Sequence, residues 1–432
     1  VYREPFMKKL EDKISNLKIR ASYGLTGNNR VNDFAYQSTL TLPVDASYSY
    51  DNGSPMRAVV PSSLGNHDLK WETTYQTDLG FDFSALNDRI HVVLDYYNKV
   101  TKDLLLQAEA PRTTGYPSII KNIGSISNSG VELTINTTNI ERNNFKWTSS
   151  FNISVNSSKV LSLVDDTKNL FTTVGFFTDY KATPLYLARV GEPVGLFYGY
   201  VFDGVYQLDD FENTAPGKYV LKNNIQGNSS AAERADVQPG DIKYRDLNGD
   251  LIIDDSDVTI IGNGLPLNTG GFTNEFFYKG FDLSVLLQWS YGNDIYNANR
   301  LIFDGNAIGA KDLNQYASYV DRWTFENPSN VNFRTGGQGP KGRHSSRVIE
   351  DGSFLRVKTL NFGYTLPQTM SKKIGITNLR FNVSAQNLFT LTGYSGMDPE
   401  VSVRGNNPLT PGFDYSAYPI SRIIVFGVNA TF

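Results

Sequence analysis

The sequence predicts an all-β fold, a transmembrane antiparallel β-barrel wall with long loops gathered at one end. Three observations carry this. Apolar and polar residues alternate over stretches of about ten residues, the length that lets a tilted strand cross hydrocarbon. The connections between those stretches are alternately short and long. No apolar run approaches the roughly 18 residues that a membrane-crossing helix requires.

The alternation is clearest from Trp71 to Phe83, where Trp71, Thr73, Tyr75, Thr77, Leu79, Phe81 and Phe83 face Glu72, Gln76, Asp78 and Asp82 across the chain. Successive side chains of a strand point to opposite faces, so this is one apolar and one polar face. After the turn 85–88, Ile90, Val92, Leu94 and Tyr96 resume the pattern. Val131, Leu133 and Ile135 continue it, then Phe145, Trp147, Phe151, Ile153 and Val155. Phe281, Leu283, Val285, Leu287 and Trp289 share a face, as do Leu379, Phe381 and Val383. Ile424, Phe426, Val428, Ala430 and Phe432 close the chain in the same way. Alternation under a hydrocarbon band places Phe151, Ile153, Val285 and Leu287 toward lipid, and Asn152, Ser154, Ser284 and Gln288 toward the lumen.

Ten strands are predicted near 17–25, 70–84, 89–103, 129–138, 145–156, 268–278, 281–292, 353–366, 378–388 and 420–432. Connections 85–88, 139–144, 279–280 and 367–377 are short; 26–69, 104–128, 157–267, 293–352 and 389–419 are long. Outer-membrane barrels join their strands by short periplasmic turns and long extracellular loops. A periplasmic C-terminus makes every long connection extracellular. A soluble β-sandwich alternates too, but it does not produce this parity.

Composition narrows the function classes. Lys plus Arg number 40 against 44 Asp plus Glu, a net charge of -4, which gives no electrostatic argument for nucleic acid. Cysteine is absent, which removes disulfides, thiol nucleophiles and thiolate metal sites. The chain opens Val-Tyr-Arg-Glu-Pro without a charged-then-apolar leader, so the native N-terminus of an exported protein is expected upstream.

One stretch offers metal chemistry. Asp246, Asn248, Asp250, Asp254 and Asp257 take positions 1, 3, 5, 9 and 12 of an EF-hand-like loop, and Ile252 would offer its carbonyl at position 7. Oxygen-rich ligands at that spacing suit a structural Ca²⁺. Leu251 stands where a glycine makes the sharp turn, and Asp257 is shorter than the usual glutamate. The alternative is an Asp/Asn-rich turn whose side chains cap their own backbone. Gly336-Gly337-Gln338-Gly339-Pro340-Lys341 lacks the ending of a phosphate loop and reads as a flexible loop. His67, His91 and His344 are too scattered for a zinc site, and His344 beside Ser345 and Ser346 is adjacency rather than triad geometry. No catalytic site is predicted. Phe176, Phe177, Tyr180, Phe197, Tyr198, Tyr200 and Tyr206 either grip a substrate or pack a large loop.

Several runs resemble the SusC/RagA family of TonB-dependent transporters. They are Gly124 to Leu133 (GSISNSGVEL), Gly195 to Tyr200 (GLFYGY), Pro239 to Asp250 (PGDIKYRDLNGD), Tyr278 to Asp282 (YKGFD), and Glu350 to Arg356 (EDGSFLR) with Phe362 to Pro367 (FGYTLP). They occur in the family's order from about Leu17 to Phe432, and the terminal Phe432 resembles the C-terminal signature of outer-membrane proteins. The resemblance implies that 1–432 is the C-terminal part of a roughly 22-stranded barrel with a plugged lumen, its plug and TonB-contacting segment lying N-terminal to this sequence. It further implies outer-membrane lipid around the wall, a SusD-like lipoprotein lid, energy from TonB, and import of an oligosaccharide or peptide. A passive porin-like channel is the alternative. On this reading the two ends of the sheet pair with strands outside the sequence.

Overall fold

A computed structural model of the chain describes residues 4, 13–29, 33–43, 47–49, 52–109, 112–116, 118–163, 167–177, 179–228, 231–304, 313–337, 343–403 and 407–432. Ten strands form one antiparallel sheet in sequence order. They are β1 (Ile14–Asn28), β2 (Glu72–Ala85), β3 (Ile90–Lys102), β4 (Ser125–Arg142), β5 (Phe145–Ser162), β6 (Asn268–Tyr278), β7 (Phe281–Tyr291), β8 (Phe354–Thr365), β9 (Asn378–Thr392) and β10 (Ile423–Thr431). Each coincides with an expected strand. β1 and β10 pair only with their inner neighbours, so the sheet has two open edges among the described residues.

The short turns are tight because their residues accept left-handed backbone. Asn143 and Asn144 turn at φ 51° and 57°, so the expected 139–144 connection shrinks to two residues. Lys279 and Gly280 do the same between β6 and β7 at φ 47° and 89°. Two successive positive φ values match the right-handed twist of the strands they join. At the other end, β4 and β5 outrun the hydrocarbon alternation. Val160 near the end of β5 is buried against Ala188 and Val194 of the following loop. The pattern stops where loop protein replaces lipid as the environment, which is why the sequence undercounts these strands.

Register separates the two faces as expected. Phe151 pairs with Phe272, which pairs with Leu287; one step away Asn152 pairs with Gly271, which pairs with Gln288. The first face carries an aromatic cluster, Phe151 lying 5.6 Å from Trp289 and 6.3 Å from Phe272. It also leaves Ile19, Leu79, Tyr96, Val131, Phe381 and Phe426 exposed. A contiguous apolar belt of that extent belongs in a bilayer.

The compact core lies beyond the wall. Strands 169–173, 184–189, 196–200 and 258–263 form a four-stranded sheet inside the longest loop. Its Leu185, Tyr186 and Phe197 pack with Tyr296 and Val348 of the next long loop and Phe413 of the last. Three loops separated widely in sequence thus share one core.

Candidate functional site: the polar wall and its loop mouth

The polar face is held flat by ion pairs. Arg20 on β1 reaches Asp82 on β2 at 2.7 Å and Asp95 on β3 at 2.8 Å, lying across Gly80. A Cβ at Gly80 would sit 2.6 Å from the Arg20 Cζ, so any larger residue there pushes the guanidinium off the wall. Arg380 on β9 pairs with Asp282 on β7 across Gly363 in the same manner. Tyr97 extends over Gly130 to donate to Asn156 Oδ1 at 2.9 Å. The remaining lining is rich in Ser, Thr and Asn, a wettable surface for polar cargo or a polar protein occupant.

At the mouth, Arg356 of β8 is 1% exposed. It donates to Asp398 at 2.6 Å, to Glu400 at 2.7 Å and to Thr390 Oγ1 at 2.9 Å. Lys358 adds a contact to Glu400 at 3.1 Å. A second hub is Asp304, which takes Arg300 at 2.8 Å and Arg347 at 3.1 Å. The partners of Arg356 lie 42 and 44 residues away, and no spacing rule finds such pairs.

The Asp/Asn-rich loop is stitched together by its own side chains. Asp246 accepts from the Gly249 and Leu251 amides at 2.7 Å each, and its carboxyl is held below the usual range by these backbone hydrogen bonds, which outweigh desolvation. Asn248 accepts from Asp250 N, Asp250 from Ile252 N, and Asp254 from Ser256 N. The buried Asp257 accepts from Leu247 N at 2.8 Å and Asp254 N at 2.9 Å, closing the loop. Leu251 takes φ 65°, so the turn that favours glycine is made by a leucine. The structure therefore gathers all six residues into one loop, although among the described residues no three acidic or histidine side chains converge as a metal site.

The loop aromatics pack. Tyr180, Phe197, Tyr200 and Tyr206 are buried, Phe176 and Phe177 lean on the shared core, and Tyr198 meets Phe171 at 5.2 Å. His344 is buried with its Nδ1 2.7 Å from the Tyr296 hydroxyl, not against a serine, and burial lowers its pKa to about 4. His91 lies 2.9 Å from Ser84 Oγ on the wall, and His67 packs near Tyr36. The glycine run enters a turn in which Gly337 O accepts from Ile242 N at 2.8 Å; positions 338–341 of it lie outside the described residues.

Comparison with known proteins agrees with this architecture. The family described as "TonB dependent receptor-like, beta-barrel" matches residues 12–240. TonB-dependent receptor P3 of Formosa agariphila is 35% identical across 100% of this chain and 40% of its own length. TonB-dependent receptor P39 of the same organism is 36% identical, with 42% of its length covered. TonB-dependent receptor SusC of Bacteroides thetaiotaomicron is 28% identical over 39% of its length. The chain thus spans about two fifths of these relatives. The structure of the RagAB peptide transporter superposes over 100% of this chain and 42% of its own, with a TM-score of 0.76 at 24% identity. The chain belongs to the TonB-dependent receptor-like β-barrel family, and its ten-stranded sheet is a wall of an outer-membrane barrel.

Proposed function

We propose that the complete protein is a TonB-dependent importer of an oligomeric nutrient, glycan or peptide, with a SusD-like lipoprotein over its mouth. The observation that carries this reading is the ordered loop mass. Three loops share a core above a polar, ion-paired wall, a construction suited to a regulated mouth rather than an open pore. The relative named SusC and the neighbour named a peptide transporter support the same class. TonB contact and the plug fall to regions N-terminal to this segment.

Uptake of labelled oligosaccharides and oligopeptides by cells carrying the whole gene tests the reading. Uptake should require TonB and the proton gradient, and gentle detergent extraction should recover a lipid-anchored partner. Entry that persists without TonB is the signature of a passive channel and would reject active import.

A structural Ca²⁺ in the 246–257 loop belongs to the same proposal. The donor set (Asp246, Asn248, Asp250, Ile252 carbonyl, Asp254, Asp257) is all oxygen, and the left-handed turn at Leu251 reproduces the bend such loops use. Bound there, the ion would rigidify an extracellular loop and take no part in chemistry.

A further inference from the structure

We propose that the lipid face of the wall holds a site for a phospholipid ester carbonyl, built on the side-chain amide of Asn274. Three rungs of paired residues cross β4, β5, β6 and β7 on this face. Ile135, Phe151, Phe272 and Leu287 form the one farthest from the short turns, and Ile140, Trp147, Phe276 and Leu283 the one nearest. Between them stand Thr137, Ser149, Asn274 and Val285, polar on three strands of the four. Polar groups against hydrocarbon are costly unless paired, so the pairing decides what this rung does.

The hydrogen bonds run in one direction. Thr137 Oγ1 donates to Asn139 Oδ1 at 2.9 Å, and Asn139, the extra residue of a bulge in β4, donates through Nδ2 to Ser149 Oγ at 2.7 Å. Ser149 Oγ donates to Asn274 Oδ1 at 2.8 Å, and the Trp147 indole N–H donates to the same oxygen at 3.0 Å. An indole can only donate, so the amide atom facing it is the oxygen, which fixes the orientation of Asn274. Asn274 Nδ2, carrying two N–H donors, ends the chain without an acceptor among the described residues. The acceptor that suits it is an oxygen from outside the wall, and depth selects which. Two aromatic pairs, Trp147 with Phe276 and Phe145 with Tyr278, stand between Asn274 and the short turns. Aromatic belts sit at headgroup level, so a phosphate lies beyond them. The ester carbonyls are the deepest oxygens of a phospholipid and lie level with Asn274. Short turns face the periplasm in outer-membrane barrels, where the leaflet is phospholipid.

The site rests on the wall lying in a bilayer and not on the import reading. Native mass spectrometry of the full-length protein in detergent would measure the first lipid bound. It would compare dioleoyl phosphatidylethanolamine with its diether twin, which has the same headgroup and chain length but no ester carbonyl. The diester should bind at least about threefold tighter, the worth of one hydrogen bond, and Asn274→Leu should bring the ratio to about one. If Asn274→Leu fails to assemble because it strands the Trp147 N–H, the ratio is read in the double variant with Trp147→Phe, which removes that donor as well. Equal binding of the twins, no binding of either, or a preference that survives these substitutions would overturn the site. A change from oligomer to monomer in Asn274→Leu would show that a protein chain covers the rung, and would overturn it too.

Discussion

Arg356 and Asp398 are joined by a 2.6 Å ion pair in which the arginine is 1% exposed, and this pair fastens the last long loop to the barrel wall. Replacing Arg356 with Met leaves Asp398 without its cation and Glu400 with Lys358 alone. Removing one partner of a buried pair costs about 3–5 kcal/mol. We expect protease cleavage within 393–422 to rise sharply while the sheet stays assembled, read by limited proteolysis and heat-modifiability. Unchanged cleavage would show that the pair does not anchor the loop.

Ile153 and Asn152 are neighbours in sequence on opposite faces. Ile153→Arg should destabilise the barrel by about 2–4 kcal/mol, the cost of a cation facing mid-membrane lipid, while Asn152→Arg should be tolerated. Urea unfolding in lipid vesicles measures both, and equal defects would contradict the assignment of faces.

The 246–257 loop gives a metal-dependent outcome. Millimolar Ca²⁺, and not Mg²⁺, should protect the loop from proteolysis, and Asp246→Ala with Asp250→Ala should remove that protection without dismantling the sheet. Protection indifferent to Ca²⁺ and chelator would leave the side-chain caps as the whole explanation of the loop.

His344 makes the loop core sensitive to acid. Burial holds its pKa near 4, below the ordinary 6.5, so the neutral form is favoured in the fold. The unfolded chain binds its proton first as pH falls, so stability is present above about 6.5 and is lost toward 4, by about 3 kcal/mol. Hydrogen exchange of the 184–200 and 294–303 segments should quicken over that interval. His344→Gln should flatten the dependence.

The wall was legible because lipid imposes a period of two on every strand it touches, as in Phe151 to Val155 and Phe281 to Trp289. Strand ends were less so: Ser158 and Val160 obey loop packing rather than hydrocarbon. The six residues of the Asp/Asn loop were found together because their spacing is local. The Arg356 hub escaped because it joins a wall strand to a loop 42 and 44 residues on, and Asp304 meets Arg347 43 residues away within its own long loop; charge pairing across tens of residues leaves no periodic trace. The aromatics from Phe176 to Tyr206 were visible as a group, but only their burial decides that they pack.

The central claim is that alternate residues of these strands divide lipid from lumen. The chain has no native cysteine, so single cysteines carrying a nitroxide at 151, 153, 285 and 287, and at 152, 154, 284 and 288, report one position at a time in the full-length protein in vesicles. Power saturation should show the first set relaxed by dissolved oxygen and the second by a water-soluble nickel chelate. Equal accessibility to both relaxers, or the reverse pattern, would contradict the claim.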